Sequence, residues 1–480
     1  MLKPRPQFMK VRFVKLSAAI FAALSVAACT VGPKYTQPNI DVPKTFDQAI
    51  AEPQTNPVST QTFQAFGSAV LNDFIARALA ENTSILQAAA RLNEARAYRG
   101  LTKYSLFPTV TAAAVKDRSK VSDQDPQAQP GIAISDRYDV GFDVAWEIDL
   151  FGSLRNQSAA VILRMQAADA ALADMRRLIV AEVAQTFFAA LGARERLAVT
   201  ERNLANLQEG ERITNALFEA GRGTELDLAR AKSLRLTVVS SLALQRAELV
   251  RQELRLASLT STPVAEVRAQ LLKQAEIPDL AKLEAVGTVQ QWLKRRPDVA
   301  AAELTLRAQT HDVGTQIAEY FPKLNLLGSF GSVAGSAGDL FGSGTDRWRF
   351  GPSISWQFLN FGRVGQYVQA EQAQVDGAAA AYQETVLRAL EETEGAMANF
   401  RAANESTAAL TEATAQAETA RALAELRFEA GASDYLVVLD AQRQRLSLDD
   451  QLIQAKTARA TALAMLYKAL AGDFVESARD

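Results

Sequence analysis

WEIDLFG at 146–152 returns as WQFLNFG at 356–362, with Trp146, Phe151 and Gly152 recurring as Trp356, Phe361 and Gly362. The offset of 210 is kept downstream, where FEAG at 218–221 returns at 428–431. Upstream, YSLFP ending at Pro108 is answered by AEYFP ending at Pro322, an offset of 214. Anchors in near register mean a duplicated unit of about 200 residues, because chance matches drift. Each unit reads helix, strand, strand, very long helix, helix.

The stretch before the first anchor alternates without a break. Tyr138, Val140, Phe142, Val144, Trp146, Ile148 and Leu150 fall on one face. Asp139, Gly141, Asp143, Ala145, Glu147 and Asp149 fall on the other. Period two with such contrast is a strand with one apolar and one wet face. Trp348, Phe350, Ile354, Trp356 and Phe358 alternate in the same way, as do Leu324, Leu326 and Phe330. The segment after Pro108 is weaker, mostly Ala and Thr. Strands are expected at ~108–116, ~138–150, ~322–333 and ~348–360. Their length suits the ~25 Å apolar band of a membrane barrel, aromatic girdles outward and polar lumen inward; a soluble sandwich sheet is the alternative. On the barrel reading Asp139, Asp143, Glu147 and Asp149 are lumen-facing acids, which would favour cations. Four strands cannot close a barrel, and open edges do not survive in lipid. The wall must then be shared between chains.

All fifteen prolines fall at or before Pro352, and none lies between Pro130 and Pro263. The segments 153–220 and 363–430 are rich in Ala, Leu, Glu, Gln and Arg, which are good helix formers. Each predicts a helix of ~100 Å at 1.5 Å per residue. Leu172, Met175, Ile179 and Val183 recur at coiled-coil spacing. Gly221, Gly223 and Gly431 stop the long helices. Thr224, and Ser433 or Asp434, cap return helices over ~225–259 and ~434–470. Shorter helices at 70–104 and 297–319 feed the strands. A hollow helical cylinder continuing the barrel accounts for strands at one end of each helix, whereas a solid coiled-coil strut does not.

Composition closes off most chemistry. The chain has one Cys and one His in 480 residues, so a zinc site or an internal disulfide is not expected. His311 lies in an amphipathic helix and reads as a surface or packing histidine. Residues 1–28 carry five Lys/Arg and no Asp/Glu, leaving 47 basic against 54 acidic residues beyond them. That balance argues against nucleic acid. No apolar run is long enough for a membrane-spanning helix. No phosphate-cradling loop is present, and no acid pair on a cleft suggests an enzyme.

The N-terminus reads as an address. Lys10, Arg12 and Lys15 precede an apolar run that ends Val26-Ala27-Ala28-Cys29. This is a secretory signal with a lipobox-like end. The expected product carries diacylglycerol and an N-acyl chain on Cys29, anchored in the outer membrane. Signal cleavage beside a stray cysteine is the alternative, and Met9 is a second candidate start.

CTVGPKYTQP at 29–38, NTSILQAAARLNEARA at 82–97, TELDLARAK at 224–232, LKRRPDVAAAE at 293–303 and DYLVVLDAQRQ at 434–444 resemble motifs of the outer-membrane factor family, the TolC-like, NodT-type efflux lipoproteins. The resemblance covers nearly all of 29–472. It implies an all-α fold class with added membrane β-strands, assembled as a homotrimer: a twelve-stranded β-barrel continued by a twelve-helix α-barrel. The organisation expected is a signal peptide at 1–28, a lipidated extended segment at 29–69, and a first repeat at 70–262. An equatorial segment at 263–296, a second repeat at 297–472 and a tail at 473–480 complete it. No cofactor is implied beyond the acyl chains. The partners implied are a periplasmic membrane-fusion adaptor, an inner-membrane transporter of the resistance-nodulation-division type, and outer-membrane lipid.

In that family a leucine ring and an aspartate ring close the periplasmic tip, and Leu436 and Asp440 are the matching positions. At offset 210, Arg230 is the counterpart of Asp440, so Arg230 is expected to link to acids of the second hairpin. A solvated Asp440 and a surface Arg230 are the plainer alternatives, and Tyr435 is a weaker gate candidate. The tips Gly221, Arg222, Gly223, Thr224, Gly431, Ser433 and Asp434 are expected to dock the adaptor. The function implied is the exit duct of a tripartite efflux system. A duct for type I protein secretion and a pore-free structural lipoprotein are the competing readings.

Overall fold

The structure, a computed structural model, describes residues 30–48, 66–120, 122, 134–274, 276–278 and 288–470. The expected signal segment, Cys29 and the C-terminal tail lie outside the described residues. The chain divides into two units, residues 1–39, 92–168 and 301–382 forming one and residues 40–91, 169–300 and 383–480 the other.

The elements run α1 (Ala69–Glu81), α2 (Thr83–Tyr104), β1 (Thr109–Lys120), β2 (Ile134–Ile148), α3 (Ser153–Glu219) and α4 (Glu225–Leu259). They continue α5 (Val264–Leu271), α6 (Val289–Arg295), α7 (Pro297–Ala318), β3 (Lys323–Ala334), β4 (Asp346–Ser355), α8 (Phe361–Glu429) and α9 (Tyr435–Ala469). The duplication is therefore structural. The long helices have 67 and 69 residues, and both return helices have 35.

The first unit holds an antiparallel sheet in the order β1-β2-β3-β4, so β1 and β4 are unpaired edges among the described residues. Opposed residues share a face in an antiparallel ladder. The register therefore aligns Val110, Val144, Gly328 and Phe350 on the apolar face, and Thr111, Asp143, Ser329 and Arg349 on the polar one.

Strand limits differ from the sequence reading in instructive ways. β1 runs on to Lys120 because β2 supplies partners as far as Ile134, although the residues beyond Val115 look too polar for a strand. β2 stops at Ile148, where the Leu150 amide folds back onto the Ile148 carbonyl. β4 stops at Ser355, and Phe358–Asn360 form a 3₁₀ turn into α8. The single helix expected at 70–104 breaks at Asn82. Its side-chain oxygen takes the amides of Ser84 and Ile85, while its Nδ2 donates to the Leu259 carbonyl at 2.8 Å. An asparagine that caps a helix start stabilises the break.

Among the described residues, every regular element of the second unit is a helix. Phe66, Phe74, Phe187, Phe188 and Tyr467 form its aromatic core, with ring centroids 5.4 to 6.1 Å apart. Trp292 is fully buried against Phe46, and its indole donates to the Ala469 carbonyl at the end of α9.

Candidate functional site

On the duct that the motif resemblance implies, the residues to locate are those on the polar sheet face, at the helix junctions and at the hairpin tips. On the polar face the anticipated excess of acid is not found. Asp117, Asp139, Asp143 and Glu147 are matched there by Arg137, Lys323, Arg347 and Arg349. Asp139 accepts from Arg137 at 2.7 Å and from Arg347 at 2.7 and 2.8 Å. Arg347 sits on β4 and must cross β3 to reach it. It can do so because Gly331 and Gly141 oppose each other in the register, and a Cβ at Gly141 would meet the Arg347 guanidinium and the Gly331 backbone.

Asp149 is a correction. It lies beyond β2, and its carboxylate accepts from the backbone and guanidinium of Arg155 in the first turn of α3. It is a helix-start acid, stabilised by the positive end of the helix dipole. The cation preference expected from the four acids counted only acids; Arg137 of β2 itself, Lys323 of β3 and Arg347 and Arg349 of β4 balance the polar face.

The start of the described chain is clamped where β2 turns into α3. The Val31 amide donates to the Phe151 carbonyl at 3.1 Å, and Asn156 Nδ2 donates to the Val31 carbonyl at 2.9 Å. That orients the Asn156 amide, so its Oδ1 accepts from His311 Nδ1 at 3.0 Å. Burial holds the His311 imidazole below its ordinary pKa, which keeps it neutral. His311 is thus a positioning group for the extended segment around Val31, a role its helical pattern could not reveal.

The hairpin tips follow from the FEAG repeat. The Arg222 amide bonds the Leu217 carbonyl and the Gly221 amide bonds Phe218; Ala432 to Arg427 and Gly431 to Phe428 repeat this. Both are Schellman stops, with Gly221 and Gly431 at φ of 69° and 68°. Thr224 forms a full capping box with Asp227. The second tip differs from expectation: Asp434 stands at the N-cap but makes no capping bond, and the buried Ser433 hydroxyl has no partner among the described residues.

The candidate gate residues are partly brought together. Asp440 is 73% exposed and pairs at 2.8 Å with Arg443, on its own helix. Arg230 is exposed and makes no ion pair with the second hairpin among the described residues. The expected link from Arg230 to acids of the second hairpin is thus not made inside one chain among the described residues, although α4 and α9 pack against each other. Leu436 is half-buried. Tyr435, rated weaker from sequence, is the better packed: its ring lies 5.0 Å from Phe428 in an edge contact, and its hydroxyl abuts Gly210. Burial, with Glu425 and Glu209 nearby, pushes its phenol pKa up. A groove of about 620 Å³ beside it is lined by Glu209, Glu418, Arg421, Glu425, Arg445 and Asp449 among others.

Sequence reasoning missed two features. Arg235 on α4 reaches Glu211 on α3 at 2.5 Å, and its counterpart at offset 210, Arg445 on α9, reaches Glu418 on α8. The recurrence of Arg at that offset was the available signal. The second is a buried network at the start of the RRPD motif. Arg296 donates to Asp298 and Glu392 at 2.6 and 2.7 Å and to the Ala469 carbonyl at 3.0 Å, while Lys468 holds Glu392 at 2.7 Å.

Among the described residues no helix is long and apolar enough to cross a membrane, and no group of three or more His, Cys, Asp or Glu is placed to hold a metal.

Residues 74–262 and 288–472 match the family described as outer membrane efflux protein. The outer membrane protein OprJ of Pseudomonas aeruginosa is 30% identical over 463 residues, 96% of each chain. The solvent efflux pump outer membrane protein SrpC of Pseudomonas putida is 28% identical, covering 95% of this chain and 98% of that one. Among solved structures, the outer-membrane channel OprN superposes with a TM-score of 0.85 at 33% identity, covering 92% of this chain and 99% of that one. The open-state MtrE outer membrane channel of Neisseria gonorrhoeae gives 0.82 at 27% identity, covering 93% and 98%. The duplicated helix-strand-strand-helix-helix unit and its sheet are thus those of outer-membrane channels, and the chain belongs to the outer membrane efflux protein family, a family of channels of the bacterial outer membrane and not of enzymes.

Proposed function

We infer that this chain forms the exit duct of a tripartite pump, carrying small molecules passively from a periplasmic adaptor and an inner-membrane transporter to the exterior. One observation carries the assembly: a four-stranded sheet with an apolar face and two open edges. Unpaired edge groups cost several kcal/mol each in hydrocarbon, so β1 of one copy must pair with β4 of the next until the sheet closes. Three copies give twelve strands, within the range of bacterial barrels. The named roles of the relatives in solvent, toluene and antibiotic efflux pumps support a small-molecule cargo, and the motif resemblance supports a resistance-nodulation-division transporter as the partner.

The polar sheet face lines the lumen, and the hairpin tips at Gly221–Thr224 and Gly431–Asp434 dock the adaptor. Opening replaces contacts around Tyr435, Leu436, Asp440 and Arg230 with contacts to that partner, a population shift driven by differential binding. Lipidation of Cys29 fits the clamp on Val31. The residue two positions after the thiol is bonded to Phe151, just past the membrane strand, so acyl chains on Cys29 reach the inner leaflet without strain on the fold.

The mass of the detergent-extracted oligomer and its conductance in planar bilayers test this reading. A conducting trimer is expected, and a stable non-conducting monomer would sink it. Cys29→Ser should abolish incorporation of labelled palmitate; retained label would place the acyl chains elsewhere.

A further inference from the structure

The apolar face of the sheet does not stay apolar to its end. Along β1 it reads Val110, Ala112, Ala114 and then Lys116, Arg118, Lys120, all of the latter exposed. The register sets these three cations against Tyr138, Asp136 and Ile134 of β2, with Lys116 5.4 Å from the centre of the Tyr138 ring and Arg118 3.7 Å from Asp136. Among the described residues three cations therefore meet two acids on this face, Asp136 beside Arg118 and Asp346 at the same end of β4, leaving one positive charge per chain. On the opposite face of the same stretch, Asp117 opposes Arg137 and Ser119 bonds Ser135, so no charge is left over there. The excess positive charge points outward, not into the lumen.

Its position is equally specific. Ten residues separate Ile148 from Tyr138 along β2. At about 3.3 Å per residue and a tilt near 45°, that climbs roughly 23 Å, the height of the apolar band of a membrane barrel. Lys116 lies level with Tyr138, and Arg118 and Lys120 lie beyond it. Nor does the fold demand these cations. At offset 214 the matching positions on β3 are Phe330, Ser332 and Ala334.

We propose that Lys116, Arg118 and Lys120 form an outward basic ledge that binds the phosphorylated glucosamine headgroup of the outer-leaflet glycolipid, lipid A. Alternate positions on a strand stand about 7 Å apart, so the three side chains meet more than one phosphate of such a headgroup. Each exposed cation near an anionic leaflet adds attraction, while the Tyr138 and Trp348 rings sit where headgroup meets chain. A repeated ledge around the closed barrel fixes the depth of the duct in the membrane.

The proposal rests on the sheet being the membrane wall, and the test separates the two. The full-length oligomer and the triple variant Lys116→Gln/Arg118→Gln/Lys120→Gln are compared for retention of bisphosphorylated lipid A, of its dephosphorylated form, and of inorganic pyrophosphate. The wild type should retain bisphosphorylated lipid A alone, and each cation removed should weaken retention roughly five-fold. Conductance should be unchanged. Should the triple variant not assemble, Lys116→Gln and Lys120→Gln singly read the same loss. Equal retention by wild type and variants, or equal retention of the dephosphorylated lipid, overturns the ledge. Binding of pyrophosphate as strong as that of lipid A also overturns it, since the site is then for a free anion. A wild type that does not conduct refutes the membrane wall itself.

Discussion

The indole N–H of Trp356 donates to the carbonyl of Tyr320 at 3.0 Å, tying the end of β4 to the turn that precedes β3. Trp146 does the same to Leu106, also at 3.0 Å, tying the end of β2 to the turn that precedes β1. The donors are 210 residues apart and the acceptors 214, so both copies of the unit use the same tie. Each carbonyl lies near a helix end, where backbone oxygens lack intrahelical partners. Trp146→Phe and Trp356→Phe keep the ring and remove the donor. Each should cost about 1–3 kcal/mol, the desolvation of an unpaired carbonyl. The double variant should dissociate at a lower temperature, read as oligomer lost on a gel heating series. Unchanged dissociation would mean that water replaces the indole.

The buried network around Arg296 makes a second prediction. Arg296 is 2% exposed and joins α7, α8 and the last carbonyl of α9. Removing one partner of a buried ion pair leaves an uncompensated charge, so Arg296→Met should destabilise by about 3–5 kcal/mol. Burial alone would raise the carboxyls of Asp298 and Glu392. The neighbouring Arg296, and for Glu392 also Lys468, outweigh it and hold both below their ordinary values of 3.8 and 4.5. A depressed acid contributes stability that is complete above its unfolded value and lost as pH falls through its folded one. Thermal stability should therefore be flat near neutrality and fall below about pH 4. Glu392→Gln should flatten that fall. An acid profile identical to wild type would exclude Glu392 from the linkage.

What the sequence made legible follows from periodicity and repetition. The alternation from Tyr138 to Ile148 and the FEAG stops are local signals, and the strands and tips formed where they pointed. Ends were harder, because a strand ends where its partner ends: polar Lys116 to Lys120 are strand only because β2 reaches Ile134. Charge at the site was the least legible. Asp139 is neutralised by Arg347, which is 208 positions away and two strands over. Asp149 was placed on a strand it does not belong to, since alternation continues into the turn. Tyr435 looked unremarkable because its first-repeat counterpart is Glu225, yet its packing against Phe428 and Gly210 depends on helices brought together only in the fold.

The balanced polar face predicts weak ion selectivity. Arg347→Gln leaves Asp139 with Arg137 alone and should shift permeability towards cations; Asp139→Asn should shift it towards anions. One charge acting at 4–8 Å through water is worth about 0.5–1 kcal/mol, so each permeability ratio should change roughly two- to five-fold. Reversal potentials across a salt gradient measure this. A wild type strongly selective for cations would mean that Arg347 and Arg349 do not face the ion path.

The packing of Tyr435 gives the sharpest test of the tip. Its ring meets Phe428 edge-on at 5.0 Å, a pairing worth about 0.5–1.5 kcal/mol beyond the buried area. Its hydroxyl lies where a side chain at residue 210 would stand: a Cβ on Gly210 would come within 2.6 Å of it. If this wedge between α3, α8 and α9 holds the tip closed, Tyr435→Ala should raise single-channel conductance in planar bilayers. Gly210→Ala should raise it too, by forcing the ring out of its seat without touching any charge. Tyr435→Phe should conduct like wild type, because the ring does the packing. A rise in Tyr435→Phe equal to that in Tyr435→Ala would assign the closure to the hydroxyl. Wild-type conductance in all three would move the gate to Leu436 and Asp440, and a charge-removing change at Asp440 would then be the variant that opens it.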